Sequence, residues 1–180
     1  MIDKSTINEF DTDFLERLAR ENAARVVGLL KSHGMRISFA ESCTGGLLAK
    51  LITDVSGSSG VFECGIVSYS NRIKINVLGV NEETISQYTQ VSEQTALEMA
   101  KRVSALSGAD IGVSTTGASG PGGEANAQAG VSYFAMCCGD DSGCVLLDVS
   151  EHKLNREQNR LYTAAKALEF VCNYIEKIPE

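Results

Sequence analysis

Three side chains in this chain of 180 residues have types and settings suited to covalent chemistry: Ser42, Tyr69 and Lys74. Ser42 stands in the turn Glu41-Ser42-Cys43-Thr44-Gly45-Gly46, where a predicted strand passes into a predicted helix. A serine hydroxyl is a weak nucleophile and needs a base. Free backbone N–H groups in such a turn can stabilise a developing oxyanion. The two histidines, His33 and His152, fall in a helix-end turn and a charged stretch, which leaves Lys74 as the better base. A lysine in a partly dry pocket has a lowered pKa and can accept a proton. Tyr69 can relay that proton or orient the lysine. Asn71 can position a substrate amide or cap the helix carrying Lys74.

Each of these residues also has a plainer reading. Ser42 before Thr-Gly-Gly fits a simple helix N-cap. Lys74 fits a solvated helix residue, and Tyr69 a half-buried strand residue. Cys43 is either a second candidate nucleophile or a small buried filler. The stretch Gly117–Gly123 is either a phosphate cradle or a tight turn. It lacks the Gly-Lys-Ser/Thr of a P-loop and the glycine spacing of a dinucleotide-binding fingerprint. Arg156 and Arg160, one turn apart, suit a phosphate or carboxylate by fork geometry, or surface ion pairs.

These residues need elements to hold them. Phe14, Leu15, Leu18, Val26, Leu29 and Leu30 recur at helical spacing, with Asp13 and Glu16 resembling a capping box and Gly34 a stop. Strands are predicted over 36–40, 61–70, 110–116, 131–138 and 144–149, the last two a hairpin around 139–143. Phe62, Ile66 and Val67 are candidate core residues of the second strand. Short helices are predicted over 47–52 and 71–78, the latter capped by Asn71. A longer helix runs from Ser92 to Leu106, and a final one over 156–175 buries Leu161, Ala165, Leu168, Val171 and Cys172. Helices at both ends and between strands predict a layered α/β fold, with a mixed sheet because of the hairpin. In such sheets sites form at the carboxyl ends of strands, where the segments around Ser42, Tyr69–Lys74 and Thr116–Gly123 all fall.

Composition narrows the function classes. The hydrophobic share is 43% and the charged share 22%, ordinary globular values. A polar leader is expected over residues 1–12 and one domain over 13–180. Sixteen Lys and Arg against 23 Asp and Glu give a net charge of −7, which disfavours a nucleic-acid partner. No apolar run is long enough to span a bilayer, so no membrane partner is expected, and the polar start is unlike a signal peptide. A cytoplasmic location follows, with the six cysteines reduced. Two histidines and no C-x-x-C pair argue against a metal, and no cofactor is predicted. Apolar helices at both ends leave homo-oligomerisation open.

Taken together, several segments resemble one family. They are Ala40–Gly46 followed by Gly57-Ser58-Ser59, Tyr69-Ser70-Asn71 with Lys74, Leu78-Gly79-Val80, Val91-Ser92-Glu93 and Thr116–Gly123. This combination is similar to the CinA C-terminal domain family, which includes stand-alone nicotinamide-nucleotide amidases. The resemblance implies a three-layer α/β/α sandwich. It implies deamidation of nicotinamide mononucleotide to nicotinate mononucleotide and ammonia. Ser42 would be the nucleophile, with Lys74 and Tyr69 its base system. N–H groups near Thr44 and Gly45 would bind the oxyanion. Asn71, Thr116, Gly117, Gly120, Gly122, Arg156 and Arg160 would bind the nucleotide. One departure stands out: the family's Pro-x-Lys-Pro-Val-Gly-like stretch reads Glu124-Ala125-Asn126-Ala127-Gln128-Ala129-Gly130 here. The loss of that lysine leaves open an inactive nucleotide-binding module, or an amidase for another small carboxamide.

Overall fold

The computed structural model describes residues 10–124 and 126–178. One five-stranded sheet organises them, in the order β2-β1-β3-β4-β5. Its strands are β1 (Ile37–Glu41), β2 (Phe62–Val67), β3 (Ile111–Gly117), β4 (Val131–Cys138) and β5 (Asp141–Asp148). β1 pairs in parallel with β2 and β3, and the β3-β4-β5 pairings are antiparallel, so the sheet is mixed. Helices α1 (Thr12–His33), α2 (Leu47–Thr53) and α6 (Arg156–Ile175) cover one face. Helices α3 (Asn71–Asn76), α4 (Glu82–Tyr88) and α5 (Glu93–Ser107) lie on the other. The result is a three-layer α/β/α sandwich. No helix among the described residues is long and apolar enough to cross a membrane.

The two sheet faces differ in side-chain size, and this sets the layer spacing. Ile37, Phe39, Ile111, Val113, Phe134 and Met136 point toward α1, α2 and α6 and form the larger core. The alternate positions Ala40, Ala135 and Cys137 pack against α3–α5 with small side chains. Gly112 lets α5 come closest: a Cβ there would lie 2.1 Å from Ala100 O. Ser114 Oγ donates to Ala96 O at 2.6 Å on the same helix. β1 and β3 are buried along their length because helices cover both faces, whereas edge strand β2 alternates.

Several local expectations are corrected. The cap of α1 is Asp11, which accepts from the N–H groups of Asp13 and Phe14; the Asp13/Glu16 box does not form. Residues 1–9 of the expected leader lie outside the described residues. The second strand ends at Val67, which is 48% exposed and not core, because β2 is an edge strand. Ser70, not Asn71, caps α3 by accepting from Ile73 N–H. The hairpin turn is only Gly139-Asp140, since Cys138 already pairs with Asp141. Helix α4 is absent from the sequence reading, because a single buried position, Ile85, leaves no apolar periodicity to detect.

The end of β1 is joined to α2 by one carboxylate. Glu41 is 1% exposed. Its Oε2 accepts from Thr44 Oγ1 (2.7 Å), Gly46 N (3.0 Å) and Leu48 N (3.0 Å), and its Oε1 from Ala49 N (2.9 Å). Helix α2 has no cap from its own N-cap residue, Gly46, so Glu41 supplies the acceptors its first turn lacks. Ser42 therefore is not the cap; the turn between strand and helix is anchored by its neighbour.

Two substitutions test these contacts. Gly112→Ala is expected to cost about 3 kcal/mol or more in urea unfolding, because the new methyl meets backbone rather than a movable side chain. An unchanged midpoint would refute the close packing of α5. Glu41→Gln would turn an amide donor toward N–H donors and is expected to lose about 2–4 kcal/mol in the same measurement. A loss within error would mean the carboxylate does not hold the turn.

Candidate active site

Ser42 sits at the carboxyl end of β1, where its N–H donates to Thr115 O (2.9 Å) and extends the β1–β3 ladder by one bond. Across the other side, Ser68 N donates to Glu41 O (2.8 Å) and extends the β1–β2 pairing. Ser42 thus occupies the middle of three strand ends, and its hydroxyl meets a side chain from the opposite layer. Lys74, on α3, is 1% exposed. Its Nζ donates to Ser42 Oγ at 3.0 Å and to Ser68 O at 2.8 Å, with Tyr69 O at 3.4 Å. No carboxylate lies in direct contact with it among the described residues. Burial pulls its pKa down to about 8, against smaller upward pushes from Cys43 and Glu124.

Cys43 is the other nucleophile the sequence offers. Burial pushes its thiol up to about 12, so it stays protonated and un-nucleophilic near neutral pH. The histidines take no part. His33 lies beside Leu29 O at the end of α1, and His152 stacks on Phe10.

A cleft of 490 Å³ opens over Ser42. Of the sequence-predicted residues, Ser42, Tyr69, Asn71, Thr116, Gly117, Gly120, Gly122 and Arg156 line it. Lys74 lies beneath its floor behind Ser42. Thr44, Gly45 and Arg160 do not line it. Thr44 is buried, with its hydroxyl on Glu41 and on Thr115 Oγ1 (2.7 Å). Gly45 N–H is already committed to Ser42 O (3.1 Å). Among the described residues no backbone carbonyl accepts from the N–H of Cys43 or of Thr44, the two donors beside Ser42. Arg160 grips Thr44 O through Nη2 (2.7 Å) and Nε (3.2 Å), so it braces the turn from α6.

The phenol of Tyr69 is directed elsewhere than the Ser42–Lys74 pair. Tyr69 is 60% exposed, and its hydroxyl accepts from Arg156 Nη2 (2.9 Å). Arg156 Nη1 donates to Gly120 O (2.7 Å), so both arginines hold backbone carbonyls, and among the described residues neither forms an ion pair with a carboxylate. Asn71 Nδ2 faces Gln90 Oε1 at the long distance of 3.5 Å. Thr116 Oγ1 donates to Gln90 O (2.5 Å) and ties the cleft wall to the α4–α5 loop.

The Gly117–Gly123 loop forms the far wall. Gly117 cannot carry a side chain, because a Cβ would sit 2.5 Å from Ser132 Cβ on β4. Ser119 Oγ donates to Cys43 O (3.2 Å), and Asn159 Nδ2 donates to Ser119 O (3.1 Å), pinning this wall to the serine turn and to α6. Sequence reasoning missed Gln90, Val91, Ser70, Ala118 and Ser119 as lining residues. Gln90 and Val91 went with the missed helix α4. Ser119 carried a signal, since it lies in the glycine-rich loop already singled out.

Comparison with known proteins adds to this geometry. The family model described as the CinA C-terminal domain matches residues 19–175. A nicotinamide-nucleotide amidohydrolase PncC from Enterobacter agglomerans is 43% identical over 155 residues, covering 86% of this chain and 93% of that protein. A CinA-like protein from Kosmotoga olearia is 44% identical over 147 residues, covering 81% of this chain and 35% of that protein. The chain spans about two fifths or less of the length of several such curated relatives. Among solved structures, the competence damage-inducible protein A of Klebsiella pneumoniae subsp. pneumoniae MGH 78578 superposes with a TM-score of 0.85 at 29% identity, covering 89% of this chain and 99% of that one. The competence/damage inducible protein CihA of Agrobacterium tumefaciens gives 0.83 at 34% identity, covering 89% and 96%. With the family model spanning most of its length and a relative matched nearly end to end, the chain belongs to the CinA C-terminal domain family.

Proposed function

We propose that this protein is an amidohydrolase that converts nicotinamide mononucleotide to nicotinate mononucleotide and ammonia, with Ser42 as nucleophile and Lys74 as its base. The observation that carries the reading is the 3.0 Å contact between a buried Lys74 Nζ and Ser42 Oγ at the floor of an open cleft. The similarity to the Enterobacter agglomerans PncC, whose name states that activity, supports the substrate. A non-catalytic binding module has no use for a desolvated lysine aimed at a serine hydroxyl.

In this mechanism neutral Lys74 takes the Ser42 proton as Oγ attacks the carboxamide carbon. The N–H groups of Cys43 and Thr44, which no backbone carbonyl takes among the described residues, donate to the oxyanion, since Gly45 N–H is occupied. The Lys74 ammonium returns its proton to the departing nitrogen, the C–N bond breaks and ammonia leaves. Water then attacks the acyl ester with Lys74 again as base, and the carboxylate product is released. Tyr69 bonds to Arg156 and so stays out of the proton path; the two together offer the rim of the cleft to the nucleotide's phosphate.

Two expectations follow. Purified protein incubated with nicotinamide mononucleotide releases ammonia and the acid in equal amounts, and both Ser42→Ala and Lys74→Met lose about 10³-fold or more of that rate. Full activity in either variant would exclude this assignment. The base must be neutral, so kcat/KM rises about tenfold per pH unit below the Lys74 pKa of about 8 and flattens above it. A flat profile from pH 6 to 9 would remove Lys74 from the role of base.

A further inference from the structure

We propose that Glu124 is the specificity-determining residue of this cleft: its carboxylate selects a substrate whose amide-bearing ring is cationic and disfavours the carboxylate product. The inference rests on the amidohydrolase reading and goes beyond it by naming the residue that reads the charge of the ring.

Sixteen described residues line the cleft, and only Glu124 and Arg156 among them carry charge, of opposite sign. The pair suits a ligand with a cationic part and an anionic part. A mononucleotide of a pyridinium carboxamide is such a ligand, with its positive ring and its phosphate. Glu124 is held in place for this task. Its backbone closes a tight turn with Ala127, N–H to O in both directions at 2.9 and 2.8 Å. Its Oε1 accepts from Gln90 Nε2 (3.1 Å), and Gln90 is itself fixed through its carbonyl by Thr116. Among the described residues no partner takes its other carboxylate oxygen, which leaves that oxygen for a ligand. Glu124 lines the same cleft as Ser42.

The charge balance of the reaction makes such a residue useful. Hydrolysis breaks the amide C–N bond, forms a C–O bond from water and expels ammonia. The ring bears one net positive charge as substrate. As product its new carboxylate cancels that charge. A fixed anion nearby attracts the first and repels the new carboxylate of the second, so the same residue favours binding of the amide and release of the acid. It would give no such preference for a neutral carboxamide.

Glu124→Gln tests this while keeping an acceptor oxygen for Gln90. The expected result is a rise of about fivefold in KM for nicotinamide mononucleotide together with a fall of about the same size in the inhibition constant of nicotinate mononucleotide, both shrinking in 0.5 M salt because the site is open to water. Glu124→Lys should move both constants further in the same directions, with melting temperatures near that of the unaltered protein. A purely structural role would weaken both ligands together, and that outcome, or no change in either, overturns the proposal. If the unaltered protein turns over no nucleotide, calorimetry with 1-methylnicotinamide and the zwitterion 1-methylnicotinate separates the two claims. A preference for the cation that is lost in Glu124→Gln keeps the charge selection and discards the amidohydrolase. No binding of the cation, or an unaltered preference in the variant, discards the selection itself.

Discussion

The buried carboxylate of Glu41 is the contact on which the geometry of the cleft depends. It closes the end of β1 onto the start of α2 by accepting three N–H groups and one hydroxyl. Without it the first turn of α2 would leave donors unpaired in the interior, and each such donor costs about 1–3 kcal/mol. Because Glu41 satisfies that helix start, Ser42 is released from capping duty and its hydroxyl is available to Lys74. The three residues Ser42–Thr44 arch between two fixed ends. Arg160 from α6 and Thr115 from β3 then clamp the arch at Thr44. A side chain on a turn braced from three elements keeps its orientation without its own hydroxyl taking part in the bracing.

The asymmetry of the sheet carries this order to the other wall of the cleft. Large side chains fill the α1/α6 face, while Gly112, Ser114 and Ala135 let α5 pack closely on the strands. That approach draws the α4–α5 loop down over the end of β3. Thr95 Oγ1 holds Thr89 O at 2.7 Å and Thr116 Oγ1 holds Gln90 O, so the loop that carries Gln90 is tied at both sides. A bulkier residue on this face would push α5 away from the strands and loosen the loop that carries Gln90.

The sequence made these features legible to different degrees. Strong periodicity marked α1 and α6, and the stop of α1 at Gly34 was readable because caps are local chemistry. β1 and β3 were visible as short β-branched and small-residue runs. α4 was not, because it leans on the body through little more than Ile85. Val67 misled, since hydrophobicity alone does not separate an edge strand's outer face from a core position. Within the cleft, residue types pointed to Ser42 and Lys74, but spacing cannot show which hydroxyl or carbonyl a lysine reaches. Tyr69 illustrates the limit. Five residues from Lys74 in sequence, it presents its carbonyl to the lysine and its phenol to Arg156, 87 positions away. Arg160 is the converse case: a guanidinium that reads as an anion binder spends its fork on a backbone carbonyl.

Lys74 shows why such a site must be built on a rigid frame. Its neighbours within hydrogen-bonding reach are two carbonyls and one hydroxyl, which bind an ammonium less strongly than a carboxylate would. Burial pulls its pKa down to about 8, and a carboxylate in direct contact would raise it and keep the lysine protonated at neutral pH. The same arrangement opposes folding at neutral pH. The folded-state pKa lies below the unfolded value of 10.5, so between about pH 8 and 10.5 the unfolded chain binds more protons and this group's contribution to stability improves as pH rises. Below that window the desolvated ammonium is a standing cost, offset by the packing of α3 and by the Ser70 cap that starts it. A carboxylate brought into contact with the lysine would relieve the cost and hold it protonated. Glu124 bonds to Gln90 instead, on the wall of the cleft.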